Sequence, residues 1–505
     1  MQYNTYGKGI VLFLIAIGVI LFLYRGKDMK NDKTLRVAFP GYNDSFHYDP
    51  SKIHFAHEYI FLENTFSPLV EYSVDGQLVS GVAGKFYWKG TDAYFEIRSD
   101  LKTIDGKKID AYDVELSLKR LLILGGNTHG DLKSLICPNN KITKLTDTCS
   151  NMEVKDNGKT LVIKFSEIKP FLFPMLAAID FAIIPKDSID LKTLKIIDYR
   201  NTSGPYYVKK DDPEGNIILS ANPFHYHYSK NMPQEVHLVP SGKTNRKESL
   251  DLFLNNKVDH ITTIDKVYVS DLTNFASKQK RINLHSTYPI HLYLVAFTNR
   301  GLKRFSDEER IKIGKAIKNL FLSIHSNEPE YKPVNEIFPV FGEGSLNKEQ
   351  VNDVINKYNK VNEQKVLEKE ILGWDPYNAV INKYETIKQT FPKLKLINIQ
   401  GKIPGLVNYK LEKIEEPDFS IRRCDVGFQE DIGLLSYYFS TDFFYLRGEE
   451  CKKWLKKYLS IPSKEERLNM LRELHYKTLI TGSVIPIAMT PYAAIVRKPW
   501  KINFS

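Results

Sequence analysis

Cysteine is scarce in this chain: only Cys137, Cys149, Cys424 and Cys451 occur among 505 residues. None of them forms a C-x-x-C pair, which removes the usual redox dithiol and the zinc-ribbon spacing. A G-x-S-x-G elbow, an H-E-x-x-H pair and a Walker loop are also missing, so no familiar nucleophile, metalloprotease or phosphate-cradling motif is present, and no enzyme is expected. His54 and His57 have no third partner at ligand spacing, so no metal or other cofactor is expected. Dense Lys/Arg blocks are absent too. The formal net charge is +11, but the lysines are spread along the chain, which describes a solvated basic surface rather than a nucleic-acid footprint. There is no internal repeat and no low-complexity tract. One long apolar run occurs, at the N-terminus.

That run, Ile10 to Tyr24, is interrupted only by Gly18, with Lys8 before it and Arg25, Lys27 and Lys30 after it. As a helix it rises about 22 Å, against a hydrocarbon thickness of roughly 30 Å. The length suits a spanning helix in a thinned bilayer and also the apolar region of a signal peptide. The only small-residue pair, Ala16-x-Gly18, sits inside the run, where a peptidase site is misplaced. An uncleaved anchor with the body outside the cytoplasmic membrane is therefore expected, with a cleaved signal as the alternative. The basic residues after the run disfavour an outward body, but long domains translocate regardless of that bias. Export permits disulfides. The sequence-local couples Cys137–Cys149 and Cys424–Cys451 are the expected pairs, although four cysteines allow three pairings and four free thiols stay open.

A chain of this length exceeds one ordinary core, so two or three domains are expected. With 42% apolar and 26% charged residues it is globular. Residues 26–34 read as a polar tether, and Leu35–Phe39 begins the folded part as a strand. Tyr94–Arg98, Leu161–Phe165, Phe181–Pro185, Asn216–Ser220, Glu235–Val239, Tyr293–Phe297, Leu394–Ile399, Phe419–Arg423, Val484–Met489 and Ala493–Val496 read as further strands. Helices are predicted at Glu58–Phe66, after an Asp110 cap, at Phe171–Ala178, Lys247–Asn255, Glu308–Leu322 and Lys464–Ile480, and through most of 346–392. Val74-Asp75-Gly76-Gln77 is a hairpin turn signal. Irregular alternation of the two element types indicates the α/β class. His225 and His227, near a strand turn, are expected at the surface.

Several stretches, taken in order, carry a family likeness. They are Asp49-Pro50-Ser51-Lys52-Ile53; Phe95-Glu96-Ile97-Arg98, Asp105-Gly106, Ala111-x-Asp113-Val114 and Ser117-x-Lys119-Arg120; Ser203-Gly204-Pro205-Tyr206-Tyr207 with Asn222-Pro223-Phe224; Leu254-x-x-Lys257-Val258-Asp259; Phe297-Thr298-Asn299 followed by Arg310; and Val484-Ile485-Pro486-Ile487 followed by Val496-Arg497. From about residue 35 to residue 500 the chain resembles family 5 of the extracellular solute-binding proteins, the oligopeptide- and dipeptide-binding receptors of ABC importers. The resemblance implies a two-lobe periplasmic-binding-protein fold of the class II type: tether and anchor to residue 34, lobe I over 35–290 with an extra subdomain at about 75–195, lobe II over 291–488, and a return to lobe I over 489–505. It implies a ligand cleft closed by a hinge, peptide or peptide-like solutes as ligands, permease subunits of an importer as partners, a monomer, and a periplasmic or otherwise extracytoplasmic location. A membrane-tethered sensor or a non-transport scaffold on the same fold is the alternative.

The same resemblance points to the ligand-gripping segments. On the first lobe they are His54, Phe55, Ala56 and His57. On the second lobe the family's Gly-Trp dipeptide and following aspartate correspond to Gly427-Phe428 and then Gln429, Glu430 and Asp431. The second segment is about three residues short of the usual pattern. Glu430 or Asp431 is then left to hold a peptide amine, which would otherwise be buried unpaired at a cost of several kcal/mol. Gly204-Pro205 and Asp105-Gly106 are expected to serve the fold.

Overall fold

The structure is a computed structural model that describes residues 33–40, 48–53, 56–73, 77–125, 136–138, 141–211, 216–241, 248–263, 269–287, 289, 291–338, 343–399, 402, 404–426, 435, 438–439, 441–498 and 500. Two compact units divide it: one takes the described residues up to Ser286 and those from Tyr492 on, the other Thr287–Pro491. The apolar run Ile10–Tyr24 lies outside the described residues, among which no helix is long and apolar enough to cross a membrane.

The first unit is built on a seven-stranded mixed sheet. In spatial order its strands are Ile282–Ser286, Ala493–Arg497, His260–Thr262, Thr34–Phe39, Glu235–Pro240, Ile217–Ala221 and Tyr206–Asp211. Thr34–Phe39 runs parallel to both of its neighbours, and the C-terminal strand Ala493–Arg497 inserts antiparallel between His260–Thr262 and Ile282–Ser286. Both faces are covered, and the twofold period of a strand sorts the side chains between them. Leu35, Phe39, Ala494 and Val496 join Phe61, Leu62, Phe66, Tyr206 and Trp500 on one face. Ala38, Ala493 and Ile495 meet Phe253, Val258 and Leu272 on the other.

A separate four-stranded antiparallel sheet lies within this unit, in the order Ala83–Lys89, Asp92–Ile97, Thr160–Ile163, Met152–Lys155. Helix Ala111–Leu124 packs beside it. Asp110 starts that helix through a reciprocal capping box with Asp113, and Gly125 in the left-handed region ends it. Strands Val70–Tyr72 and Leu78–Ser80 pair as a hairpin whose turn residues 74–76 lie outside the described residues. The segment Phe181–Pro185, predicted as a strand, instead follows a 3-10 turn at Ile179–Phe181 and makes one bridge, Ile183 to Ser67. Serine hydroxyls take up its backbone groups: Ser203 donates to the Ile183 carbonyl, and the Ile184 N–H donates to Ser117 at 2.9 Å. No ladder is needed to satisfy them.

The second unit holds a six-stranded sheet in the order Lys332–Pro333, Val484–Thr490, His291–Phe297, Phe419–Asp425, Ile371–Trp374, Leu394–Ile397. The last three strands run parallel to one another; the others pair antiparallel. Helix Asp307–Ile324, opened by a Ser306/Glu309 capping box, lies against Val484–Thr490 so closely that a Cβ on Gly314 would stand 2.2 Å from the Ile485 side chain. The predicted helical stretch 346–392 is α-helical only over Lys348–Lys360, with a 3-10 turn at Tyr384–Ile387. Ile371–Trp374 within it is a fully buried parallel strand. Such strands carry no polar alternation, so four apolar residues between charged tracts resemble a helix segment.

Cys137 and Cys149 form a disulfide with Cα atoms 5.7 Å apart. The other expected couple does not form: Cys424 and Cys451 are free. Cys424 stands on strand Phe419–Asp425 and Cys451 in the first turn of helix Glu449–Ser460. Nearness in sequence does not satisfy the roughly 7 Å limit on Cα separation that a bridge requires. Burial pushes both thiols up, Cys451 to about 12.

Candidate functional site

Within the second unit the three parallel strands end at one concavity. Strand Ile371–Trp374 stops at Asp375, and strand Leu394–Ile397 stops shortly before Lys402. Phe419–Asp425 pairs with Ile371–Trp374 only through Phe419 and Ser420 and then runs on. A small hollow open to solvent is left beyond the shorter strands, walled by Pro376, Tyr377, Lys402, Pro404, Thr441, Phe443 and residues Ser420 and Arg422–Cys424 of the long strand. Ligands of open α/β sheets lie outside the carboxyl ends of parallel strands, where turns diverge and leave a crevice.

The walls are held from behind. Asp375, fully buried, accepts from the N–H groups of Ala379, Val380 and Ile381 at 2.8, 2.8 and 2.9 Å, which fixes the turn carrying Pro376 and Tyr377. Asp418, also fully buried, accepts from Arg304 at 2.7 and 2.8 Å and from the Leu372 N–H at 2.9 Å, and so sets the register of the long strand. Phe443 stacks on Tyr438 with centroids 4.2 Å apart.

Arg422 is the unusual residue. It is 7% exposed in mid-strand. Its two terminal nitrogens donate to the carbonyls of Thr441 and Pro404, and its buried Nε finds no acceptor among the described residues. The Arg423 guanidinium lies 5.4 Å from the Tyr377 ring centroid. Lys402 pairs with Glu412. Among the described residues, none that lines it is acidic. The carboxylates nearby are committed elsewhere: Asp425 to His291 at 2.7 Å and Asp442 to Arg447 at 3.2 Å.

Of the residues expected to grip a ligand, His54, Phe55, Gly427, Phe428, Gln429, Glu430 and Asp431 lie outside the described residues. Ala56 opens helix Ala56–Thr65, and His57 follows it. The His57 ring packs edge-on against Phe39 at 5.8 Å and Tyr48 at 5.9 Å, and burial lowers its pKa to about 4. His225, expected at the surface, is buried. Its Nε2 is 3.0 Å from the Ser67 hydroxyl, and its Nδ1 accepts from the His227 N–H at 3.1 Å. His227 remains partly exposed, 2.7 Å from Glu71. Arg422 was not anticipated, because an arginine in a strand reads as an exposed position.

The other motifs tie the fold together. Asp49 of the Asp-Pro stretch caps the Pro50–Lys52 turn and forms an ion pair with Arg120, which is 2% exposed and also donates to the Leu194 carbonyl at 2.8 Å. Gly204 is set by close approach: a Cβ there would stand 2.4 Å from the Thr65 carbonyl carbon. Arg310 donates to the carbonyls of Thr481, Leu302 and Phe305, tying the stretch before its own helix to the C-terminal end of helix Lys464–Ile480.

Comparison with known proteins places these motifs. Residues 77–318 match the model of the bacterial extracellular solute-binding proteins, family 5 Middle. Over this span the chain is similar to that family. No curated protein sequence matches the chain. Among solved structures, NikA from Brucella suis in complex with Fe(III)-EDTA is 14% identical with a TM-score of 0.70, covering 94% of this chain and 97% of its own. Haemophilus influenzae OppA in complex with RPPGFSPFR is 13% identical with a TM-score of 0.68, at 95% and 97% coverage. The Escherichia coli murein tripeptide binding protein MppA is 16% identical with a TM-score of 0.67, at 94% and 96% coverage. At such identities the likeness establishes the fold: the α/β, two-lobe periplasmic-binding-protein type, which this chain follows over nearly its whole length.

Proposed function

We propose that this chain is an extracytoplasmic receptor that captures peptide-like solutes and hands them to an ABC importer. The observation that carries the reading is the family match at residues 77–318. The relatives whose descriptions name a murein tripeptide and an oligopeptide importer support it. Binding requires no covalent step. The two lobes, taken as about 35–290 and 291–488, close on the solute by a hinge, and backbone groups of extended segments grip it by strand addition. The segment Gly427–Asp431, which follows Asp425 closely in sequence, is the part taken to supply one such wall, with Glu430 or Asp431 holding a ligand amine. Residues 54–57 supply another. The receptor acts as a monomer held at the membrane by its N-terminal run.

Titration of intrinsic fluorescence with a short-peptide panel, together with native mass spectrometry of the protein as purified, tests this reading. A saturable response near micromolar concentration, about −8 kcal/mol, is expected. The absence of both a response and a copurifying solute overturns it. Glu430→Gln or Asp431→Asn is expected to weaken binding of peptides with a free amine about tenfold or more; unchanged affinity in both variants removes these carboxylates from the site.

A further inference from the structure

Lysines that are scattered along the sequence meet at one edge of the seven-stranded sheet. Thr34–Phe39, Glu235–Pro240 and His260–Thr262 run parallel, and Ile282–Ser286 shares their direction because Ala493–Arg497 is antiparallel to both of its neighbours. All four therefore begin at the same edge. Lys33 precedes the first, Lys230 lies in the loop before the second and Lys257 before the third, while Lys278, Lys280 and Arg281 lead into the fourth; each is exposed. Lys498, also exposed, follows Ala493–Arg497 where that strand ends at this edge. Hydrogen bonds draw these segments together. The Gln234 N–H donates to the Lys33 carbonyl and the Lys498 N–H to the Arg281 carbonyl, both at 2.9 Å, and the Arg36 guanidinium donates to the Asn256 carbonyl at 2.8 Å. Five adjacent strands at the usual spacing hold these charges within about 20 Å. The carboxylates on the same segments are already paired, Asp259 with Arg36 at 2.8 Å and Glu235 with Lys209. None of the seven cations has an ion-pair partner among the described residues. On the antiparallel sheet of the same unit, by contrast, the signs alternate, Lys85 beside Glu96 and Lys164 beside Glu153.

This edge is also where the chain arrives from its apolar run. Residues 25–32 separate Tyr24 from Lys33, and a segment of that length reaches at most about 30 Å when fully extended. A body joined to a bilayer through the run carries this edge close to the headgroups. We infer that the strand-start edge of the seven-stranded sheet is a docking surface for anionic phospholipid headgroups, which seats the receptor on the membrane that holds it. The inference rests on the membrane-held reading above and extends it. Fixed positive charges are attracted to an anionic surface within a Debye length, about 8 Å at physiological salt, and a neutral lipid surface offers no such attraction. Leu254, 45% exposed at the end of helix Glu248–Leu254 and shortly before Lys257, adds an apolar contact. Seated this way, the four parallel strands point their carboxyl ends away from the bilayer.

The test reconstitutes the full chain in vesicles of phosphatidylcholine alone or with about 30% phosphatidylglycerol, and reads vesicle flotation together with lysine acetylation by a reagent that does not cross the bilayer. Peptide mass spectrometry is expected to show Lys257, Lys278, Lys280 and Lys498 labelled at least about threefold less in the anionic vesicles. The difference is expected to vanish at about 1 M salt, where the screening length falls to about 3 Å. Lys85 and Lys89 on the antiparallel sheet are expected to label equally in both lipids. Lys278→Gln, Lys280→Gln and Arg281→Gln together are expected to abolish the protection of Lys257 and Lys498. The same loss of charge by Lys453→Gln, Lys456→Gln and Lys457→Gln, exposed on helix Glu449–Ser460, is expected to leave that protection intact. Should the chain float with both vesicles while these lysines label alike, or should the helix variant remove the protection as fully as the edge variant, the docking surface is wrong and the membrane-held reading stands. Capture by anionic vesicles alone, with the lysines protected, keeps the docking surface and overturns the membrane-held reading. Flotation with neither overturns both.

Discussion

His475 is held in one tautomer by two backbone groups. Its Nε2 accepts from the Ile337 N–H at 2.9 Å, and its Nδ1 faces the Gly344 carbonyl at 3.0 Å, so the ring is neutral with its proton on Nδ1. Protonating Nε2 breaks the Ile337 bond in a fully buried place. Burial holds this histidine, and His260 likewise, down to about 4. The unfolded imidazoles titrate near 6.5. Between these values the unfolded chain binds more protons than the native one, so stability falls as pH drops through that window. Urea denaturation at pH 7 and pH 5 is expected to show a loss of about 2 kcal/mol per histidine, with a flatter pH dependence in His475→Gln. Asp49 works from the other side. Burial pushes its carboxyl up, but the Arg120 guanidinium and the Ser51 hydrogen bonds outweigh that and hold it below the ordinary range. Its contribution is therefore present above the unfolded carboxylate pKa and lost as pH falls through the native one. Removing one partner of this buried pair, as in Asp49→Asn, is expected to cost about 3–5 kcal/mol in denaturant titrations.

Elements meet in this protein through a few contacts that admit no extra atom. Gly204 donates its N–H to the Thr65 carbonyl at 3.0 Å and lies against the C-terminal end of helix Ala56–Thr65. Gly204→Ala is expected to destabilise by more than about 2 kcal/mol, since the obstacle is backbone rather than a flexible side chain. Alanine at Gly204 with an unchanged melting temperature would show that the close approach is absent. The disulfide joins residues 12 apart in sequence, just ahead of strand Met152–Lys155 in the antiparallel sheet. Closing a loop of that size contributes about 3 kcal/mol by the chain-entropy account. Reduction, or paired Cys137→Ala and Cys149→Ala, is expected to lower thermal stability accordingly, while Cys451→Ala is expected to change it little under oxidising and reducing conditions alike.

For the whole molecule, ligand binding and stability are linked. A solute that binds only the folded receptor at a hundred times its dissociation constant adds about 2.7 kcal/mol to stability. A thermal-shift screen of the short-peptide panel is therefore expected to rank its members as the fluorescence titration does, and a different ranking would count against the receptor reading. Much of the architecture was legible beforehand from periodicity. Strands such as Thr34–Phe39, His291–Phe297 and Val484–Thr490 are long enough to carry an apolar signature, and helices such as Ala111–Leu124 and Asp307–Ile324 announce themselves through capping residues. Short elements were not. Ile371–Trp374 is four residues long and buried on every side, and helix Glu449–Ser460 lacks a side-chain cap. Both depend on neighbours distant in sequence.

Local pattern therefore determined the α/β class, the family likeness and the order of the main strands, because these depend on residues close together along the chain. Only the tertiary structure decided that Asp49 belongs to Arg120, that Cys424 and Cys451 stay apart, that His225 is buried, and that Arg422 is buried in mid-strand. Each of these is a matter of desolvation and charge pairing. The sign and size of both are set by what lies within a few ångströms in space, and a linear sequence does not specify that distance.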